Sequence, residues 1–333
     1  MKNKIKIIAE AGCNHNGSFK RAVKLVLEAK KANADAIKFQ MFDPNELVIK
    51  KAKIAEYANN KKKETQFQML KKINLTLQEH FKLKRICSKI KIDYLCSGFD
   101  TKSLDSLRQL KLSTFKIPSG EINNYKYLMH IGKFKKKILL STGMSTIKEI
   151  KNAINILLKQ GTKKCNITLL QCNSQYPTPF SDINLKSILY LKKKFNLNVG
   201  ISDHSIGIEV PIAAAGLGAS VIEKHFTLNK GLIGPDHKSS LEPKQFSLMV
   251  KSIRNVEEAL GEFFKKVNKS EKINIKNARK SIVTLQAIRK NETFTQINVG
   301  VKRPGNGIPA DKYYKILGKK SKRNYLPDQL VKP

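Results

Sequence analysis

The sequence predicts a (β/α)8 barrel followed by a small C-terminal β domain, and three observations carry that prediction. Eight short apolar runs rich in β-branched residues recur before Gly261. Longer amphipathic stretches lie between them, so strand and helix alternate as in a parallel sheet whose outer face is covered. After Gly261 the alternation stops, and a charged stretch leads into short strands around turns.

In order, the first run, Ile5 to Ala11, opens into the loop Gly12-Cys13-Asn14-His15-Asn16-Gly17, and Ser18 to Lys31 then carries apolar residues at helical spacing. Ala36 to Gln40 is the second run. Leu75 to Lys91 reads as a helix before the third, Tyr94 to Gly98. Thr114 to Pro118 and Ile138 to Thr142 follow, then the helical Ser145 to Gln160 and the sixth run, Ile167 to Cys172. Asn184 to Phe195 separates it from Val199 to Ser202. Val221 to Phe226 is the eighth, and Pro243 to Leu260 reads as its helix. An open, doubly wound sheet is the weaker alternative, because the first loop lacks G-x-G-x-x-G spacing and no G-x-x-x-x-G-K-[ST] stretch occurs. Residues 1–261 are therefore expected to form the barrel and 262–280 a linker. Residues 281–333 should form a domain with strands at Ser281 to Leu285 and Phe294 to Val301, small enough to lean on a partner surface.

The composition is globular: 333 residues, 41% apolar and 27% charged, which excludes collagen-like, coiled-coil and low-complexity classes. A formal charge of +38 first suggests a polyanion partner. However, 56 of the 64 basic residues are Lys and only 8 are Arg, the residue whose planar fork suits phosphate and base recognition. The runs Lys61 to Lys63, Lys135 to Lys137 and Lys192 to Lys194 lack interleaved aromatics and read as solvated surface, so no nucleic-acid partner is expected. The opposing reading, a non-enzymatic polyanion-binding barrel, would show salt-steep DNA binding. Five cysteines form no C-x-x-C pair, and no leader or membrane-spanning run stands out, so a reducing cytoplasm is expected.

Reactive groups of such a barrel project from the C-terminal strand ends. Those ends carry Glu10 with Asn14 and His15; Lys38 and Gln40; Ser97 and Asp100; Lys116, Ser119 and Glu121; Ser141 and Thr142; Gln171, Ser174 and Tyr176; Ser202, Asp203 and His204; and Glu223, Lys224 and His225. Lys38 and Lys116 sit inside apolar runs, where an unpaired charge costs several kcal/mol, so each must meet an anion or else snorkel past a helix to water. His204 and His225 end neighbouring strands and can converge on a divalent ion, or can be ordinary packed residues. Two nitrogens with open positions suit Mn, Fe, Co or Zn, and an oxyanion substrate in the same site favours Mn or Mg. Gly234-Pro235-Asp236-His237 and Arg303-Pro304-Gly305-Asn306-Gly307 are turn-rich and can be turn chemistry alone. The residues by themselves describe a metal-dependent barrel enzyme acting on a phosphorylated or carboxylated small molecule and a carbonyl, with a sugar aldolase or isomerase among the possibilities.

Longer stretches go further: Ala9-Glu10-Ala11-Gly12-Cys13-Asn14-His15-Asn16-Gly17, Ile37-Lys38-Phe39-Gln40, Phe115-Lys116-Ile117-Pro118-Ser119-Gly120-Glu121, Leu140-Ser141-Thr142-Gly143-Met144, Gln171 through Pro179, Gly200-Ile201-Ser202-Asp203-His204, Glu223-Lys224-His225-Phe226-Thr227, Gly234 through Lys238 and Lys302 through Gly307. In that order the chain resembles the sialic acid synthase family, which includes N-acetylneuraminate and N,N'-diacetyllegionaminate synthases. The resemblance implies a transferase that condenses phosphoenolpyruvate with an open-chain N-acylated hexosamine and releases phosphate. It also implies a homodimer whose C-terminal antifreeze-like (SAF) β-clip domain reaches the partner's active site. By resemblance, His204 and His225 are ligands of a divalent ion, most often Mn with Mg or Co as alternatives. Lys38, Lys116, Ser119 and Ser141 hold phosphoenolpyruvate, with Gln40, Ser97, Ser174 and Ser202 among the substrate contacts. Glu10 positions the acceptor aldehyde and its proton, Glu121 lies near the water that adds to C2, and Tyr176, Asp236 and Arg303 contact the acceptor. Cys96-Ser97-Gly98-Phe99-Asp100 and Ser174 depart from the family pattern and bear on the acceptor, which is N-acetylmannosamine or its 2,4-diacetamido-6-deoxy analogue. The first loop and the surroundings of Asp236 look closer to N-acetylneuraminate and diacetyllegionaminate synthases than to the pseudaminate branch.

Overall fold

The computed structural model describes residues 4–54 and 64–333, so the Lys61 to Lys63 run lies outside the described residues. Eight parallel strands close in sequence order into a barrel: β1 (Lys6–Gly12), β2 (Ala36–Met41), β3 (Asp93–Gly98), β4 (Thr114–Ile117), β5 (Lys137–Ser141), β6 (Ile167–Cys172), β7 (Asn198–Asp203) and β8 (Val221–His225), with β8 pairing back onto β1. The amphipathic stretches form the helices Phe19–Lys31, Leu77–Lys89, Ile147–Lys159, Ser187–Phe195 and Pro243–Ala259. Their starts are chemically marked. Ser18 caps the first, and Thr76 with Glu79 and Thr146 with Glu149 form reciprocal capping boxes, each N-cap contributing about 1 kcal/mol.

Two-residue alternation along each strand decides what faces the barrel axis. Ile8, Ala36, Leu95, Leu139, Leu170 and Val221 form one buried apolar cluster. Two residues further along the same strands come Glu10, Lys38, Ser97, Ser141, Cys172 and Glu223. The polar mouth therefore stands one step above an apolar floor. The alternate residues, among them Ile7, Ala9, Ile37, Phe39, Leu140 and Leu169, belong to the larger core shared with the helices.

The chain divides into two compact units at Gly261/Glu262. Within the stretch expected to be a linker, Lys269–Ala278 is helical, with an Asn268/Glu271 capping box. It buries none of its residues, so its sequence shows no apolar periodicity, and only the box marked it. Strands β9 (Ser281–Thr284) and β10 (Val299–Lys302) pair antiparallel. The second starts later than expected because Thr295 and Asn298 cap each other's backbone N–H groups and hold a turn there. Small as it is, this unit encloses its own core of Ile282, Ile288, Phe294, Val299, Ile316, Tyr325 and Val331. Reciprocal backbone bonds between Ile288 and Tyr325 tie its ends together. Among the described residues no helix is long and apolar enough to cross a membrane, and all five cysteines are unpaired.

Candidate active site

A cavity of about 320 Å3 opens at the C-terminal ends of the barrel strands. Of the residues expected in the site, Glu10, Lys38, Gln40, Ser97, Lys116, Ser119, Ser141, Ser174, Tyr176, Ser202, His204 and His225 all line it. Phe99, Met144, Cys172 and Glu223 line it as well, and the sequence reading had given them no role. Alternation was the available signal for Glu223, since it shares a strand face with His225.

The charges form one buried network. Lys38 Nζ lies 2.8 Å from Glu10 Oε2 and 3.6 Å from Glu223 Oε2, and donates to Ser97 Oγ at 3.0 Å. Lys116 Nζ donates to Glu223 Oε1 at 3.1 Å, and Ser202 Oγ donates to the same oxygen at 2.8 Å. Both lysines therefore meet carboxylates inside the barrel and do not snorkel outward. Burial pushes the Glu10 carboxyl up to about 7, against the pull of Lys38. Burial opposes ionisation of Glu223 too, but Lys116 and Lys38 outweigh it and hold that carboxyl below the usual range. Two carboxylates are thus pushed apart, one poised to exchange a proton near neutrality and the other fixed as an anion.

Beside them the cavity offers hydroxyls. Ser141 Oγ is buried with no hydrogen-bond partner. Ser119 Oγ accepts from the Gly143 N–H at 3.1 Å. A Cβ at residue 143 would stand 2.8 Å from both Ser119 Oγ and Ser174 Oγ, so glycine is what lets these hydroxyls share the site. Gly12 does similar work at φ +48°, where a Cβ would stand 3.3 to 3.4 Å from Asp236 Oδ2, Gln40 Nε2 and Glu10 Oε1. The register of β1 on β2 shifts between Glu10 and Gly12, at the point where the strand gives way to its loop.

His204 and His225 converge with ring centroids 5.3 Å apart, and Tyr176 stacks on His204 at 4.0 Å. His204 Nδ1–H donates to the Asn173 carbonyl at 2.5 Å, which leaves Nε2 as the acceptor beside the Tyr176 hydroxyl at 3.0 Å. Burial works against charge on His204, but the Cys172 side chain, the Asn173 carbonyl and Asp203 together outweigh it and lift its pKa. Burial and then His204 hold His225 well below its usual range, in the neutral form. His225 Nδ1 is buried without a hydrogen bond, 3.6 Å from Asp236 Oδ2. Burial raises Asp236 to about 6. An orphaned imidazole nitrogen next to a second imidazole of fixed tautomer fits a divalent ion. Among the described residues, no group of three or more His, Cys, Asp or Glu is arranged to hold a metal.

Three expected residues are not in the lining: Asp236, which stands beside His225, and Glu121 and Arg303. Glu121 ends the short 3-10 turn Ser119–Glu121, is half-buried, and accepts from Asn124 Nδ2 at 2.6 Å. The turn carries Ser119 into the cavity lining, and Glu121 is not part of that lining. Arg303 belongs to the C-terminal unit, where it is exposed.

The chain is similar to known proteins over nearly its whole length. The chain is 47% identical over 331 residues to N,N'-diacetyllegionaminic acid synthase of Campylobacter jejuni, covering 98% of both chains. It is 40% identical to the enzyme of that name from Legionella pneumophila, covering 96% of this chain and 90% of that one. Among solved structures, the N-acetylneuraminic acid synthetase of Leptospira borgpetersenii, in complex with citrate, matches with a TM-score of 0.72 at 33% identity, over 82% of this chain and 90% of that one. An SAF domain model matches residues 279–333. Residues 25–265, most of the barrel with its polar mouth, match the NeuB family model, and the chain belongs to the NeuB family.

Proposed function

We propose that the protein is a nonulosonic acid synthase, a transferase that joins phosphoenolpyruvate to an N-acylated hexosamine and releases phosphate. The observation that carries this reading is the buried pair Lys38 and Lys116 at the barrel mouth, beside the unpartnered Ser141 hydroxyl and the two imidazoles. Two cations and three hydroxyls, Ser119, Ser141 and Ser202, suit the phosphate and carboxylate of phosphoenolpyruvate. Relatives named for diacetyllegionaminic acid favour 2,4-diacetamido-2,4,6-trideoxymannose as the acceptor, ahead of N-acetylmannosamine.

His204 and His225 would supply two nitrogen ligands to a divalent ion, Mn before Mg or Co, which when bound polarises a carbonyl. The chain's own residues orient and stabilise charge. Lys38, Lys116 and the hydroxyls hold phosphoenolpyruvate so that its C3 faces the acceptor aldehyde carbon, and the new C–C bond forms there. Glu10, with a pKa near neutrality, gives the proton that the new alkoxide takes up. Glu223, fixed as an anion, stabilises positive character at C2. Water adds to C2 and returns one proton to the Glu10 carboxylate; the C2–O bond to phosphate then breaks, the remaining hydroxyl proton leaves with the phosphate, and a nine-carbon 2-keto acid is left. Tyr176 and Asp236, which flank the imidazoles, would contact the acceptor. Arg303 would come from a second copy of the chain and grip the acceptor's N-acyl group, which makes the working form a homodimer.

An acceptor panel assayed by phosphate release tests the reading. Release should require both phosphoenolpyruvate and an N-acylated mannosamine, with the diacetamido sugar giving the highest kcat/KM. Turnover of a sugar without phosphoenolpyruvate would replace this reading with an aldolase or isomerase.

A further inference from the structure

On the outer face of the same two strands, behind the imidazoles, lies a second buried ion pair that is not itself part of the cavity lining. Lys224 is fully buried. Its Nζ donates to Asp203 Oδ2 and to the Ser205 carbonyl, both at 2.5 Å. Asp203 in turn accepts from the Ser205 N–H and from Ser205 Oγ, both at 3.0 Å. Asp203 and Lys224 are direct partners in the β7–β8 register. Each is the immediate chain neighbour of one imidazole, Asp203 of His204 and Lys224 of His225.

We infer that Lys224 and Asp203 form a clamp that positions His204 and His225 for the ion. The inference rests on the ion-site reading above. β7 ends at Asp203, so no strand pairing holds the backbone beyond it. The clamp holds it instead: Asp203 fixes the Ser205 N–H and Lys224 fixes the Ser205 carbonyl. The His204 carbonyl accepts from the Thr178 N–H at 2.9 Å. The His204 backbone is thereby held on both sides, and from that fixed backbone its ring reaches the Asn173 carbonyl and the Tyr176 hydroxyl. Stability alone is a poor account of the pair, since a buried ion pair replaced by apolar residues of similar volume is often neutral or stabilising. An orienting role explains why charge is kept here, because partners of ligating groups commonly set affinity by 10- to 100-fold.

Calorimetric titration with Mn tests this on the full chain, beside His225→Ala. Lys224→Met and the double variant Asp203→Leu/Lys224→Met should bind Mn about 10- to 100-fold more weakly. The double variant should keep the parent's thermal midpoint or exceed it. The KM for phosphoenolpyruvate should stay within about twofold, since Lys38 and Lys116 hold that substrate. Excess Mn should restore kcat, which simple damage to the fold would not permit. Ser205→Ala, which removes one hydroxyl from the clamp, is the mildest arm and should weaken Mn about threefold. A folded variant of any of these that binds Mn like the parent overturns the clamp. A parent that binds no Mn, or a His225→Ala protein that binds it unchanged, overturns the ion-site reading instead.

Discussion

Lys116 and Glu223, 107 residues apart in the chain, meet at 3.1 Å inside the barrel mouth, and both are buried. The carboxylate also receives Ser202 and stands 3.6 Å from Lys38, whose nearer partner is Glu10 at 2.8 Å, so Glu223 is the anion shared between the two cations. Such pairing compensates the buried charge of the lysines, and an oxyanion entering the cavity would share that role.

Glu223→Gln should therefore make the protein depend on its ligand. Breaking a buried pair costs about 3–5 kcal/mol, and an added anion can return part of that. Inorganic phosphate should raise the thermal midpoint of the variant more than that of the parent. Equal shifts in the two proteins would show that Glu223 does not balance the anion site.

Lys116→Met should weaken phosphoenolpyruvate by about 1.5–3 kcal/mol for the lost charged hydrogen bond, roughly tenfold or more in KM. The acceptor's KM should change little. Separate Michaelis constants decide it, and a rise confined to the acceptor would move Lys116 to the other substrate.

His204→Ala and His225→Ala should each abolish divalent-ion binding and phosphate release while leaving the far-ultraviolet circular dichroism unchanged, because both rings face the cavity and not the packed core. The same preparations titrated with Mn provide the check. Retained affinity in both variants would remove the ion from these residues.

Acid should destabilise the fold through His80. It is fully buried, its Nδ1 stands 2.5 Å from the Tyr94 hydroxyl, and burial lowers its pKa from 6.5 to about 4. Between those values the unfolded chain binds a proton that the folded one refuses. The His80 contribution is therefore complete above about pH 6.5 and is lost as the pH drops toward 4, about 2 kcal/mol of it between pH 7 and pH 5. Urea midpoints at the two pH values should differ less for His80→Gln than for the parent. An unchanged difference would exclude His80 as the source.

Mixing Arg303→Ala with His204→Ala chains tests whether Arg303 acts across a dimer. One site of a mixed dimer would combine intact imidazoles with an intact arginine, so part of the activity should return. Mixed dimers seen by mass spectrometry but lacking activity would falsify the trans assignment. Arg303→Lys should raise the acceptor's KM without altering dimerisation, since Lys keeps the charge and loses the planar fork.

The sequence by itself determined the barrel, because strand and helix periods are local: each of the eight apolar runs became a strand with ends shifted by one residue at most. It also determined most of the mouth, since a residue just before a strand's C-terminal end has few other places to go in this fold. Lys38, Lys116, His204 and His225 were legible for that reason. Tertiary structure alone decided who meets whom. Glu223 stood in view at a strand end, yet its role depends on Lys116 and Ser202, which arrive from two other strands. Glu121 was expected near the water that adds to C2, but a 3-10 turn takes its carboxylate out of the cavity lining and gives it to Asn124. The helix Lys269–Ala278 buries nothing and so left no periodic trace. Lys224 read as one more strand-end charge until the β7–β8 register set it opposite Asp203. Side-chain period is written along the chain, whereas register and loop path follow from how distant segments pack, and these fixed each partner in the site.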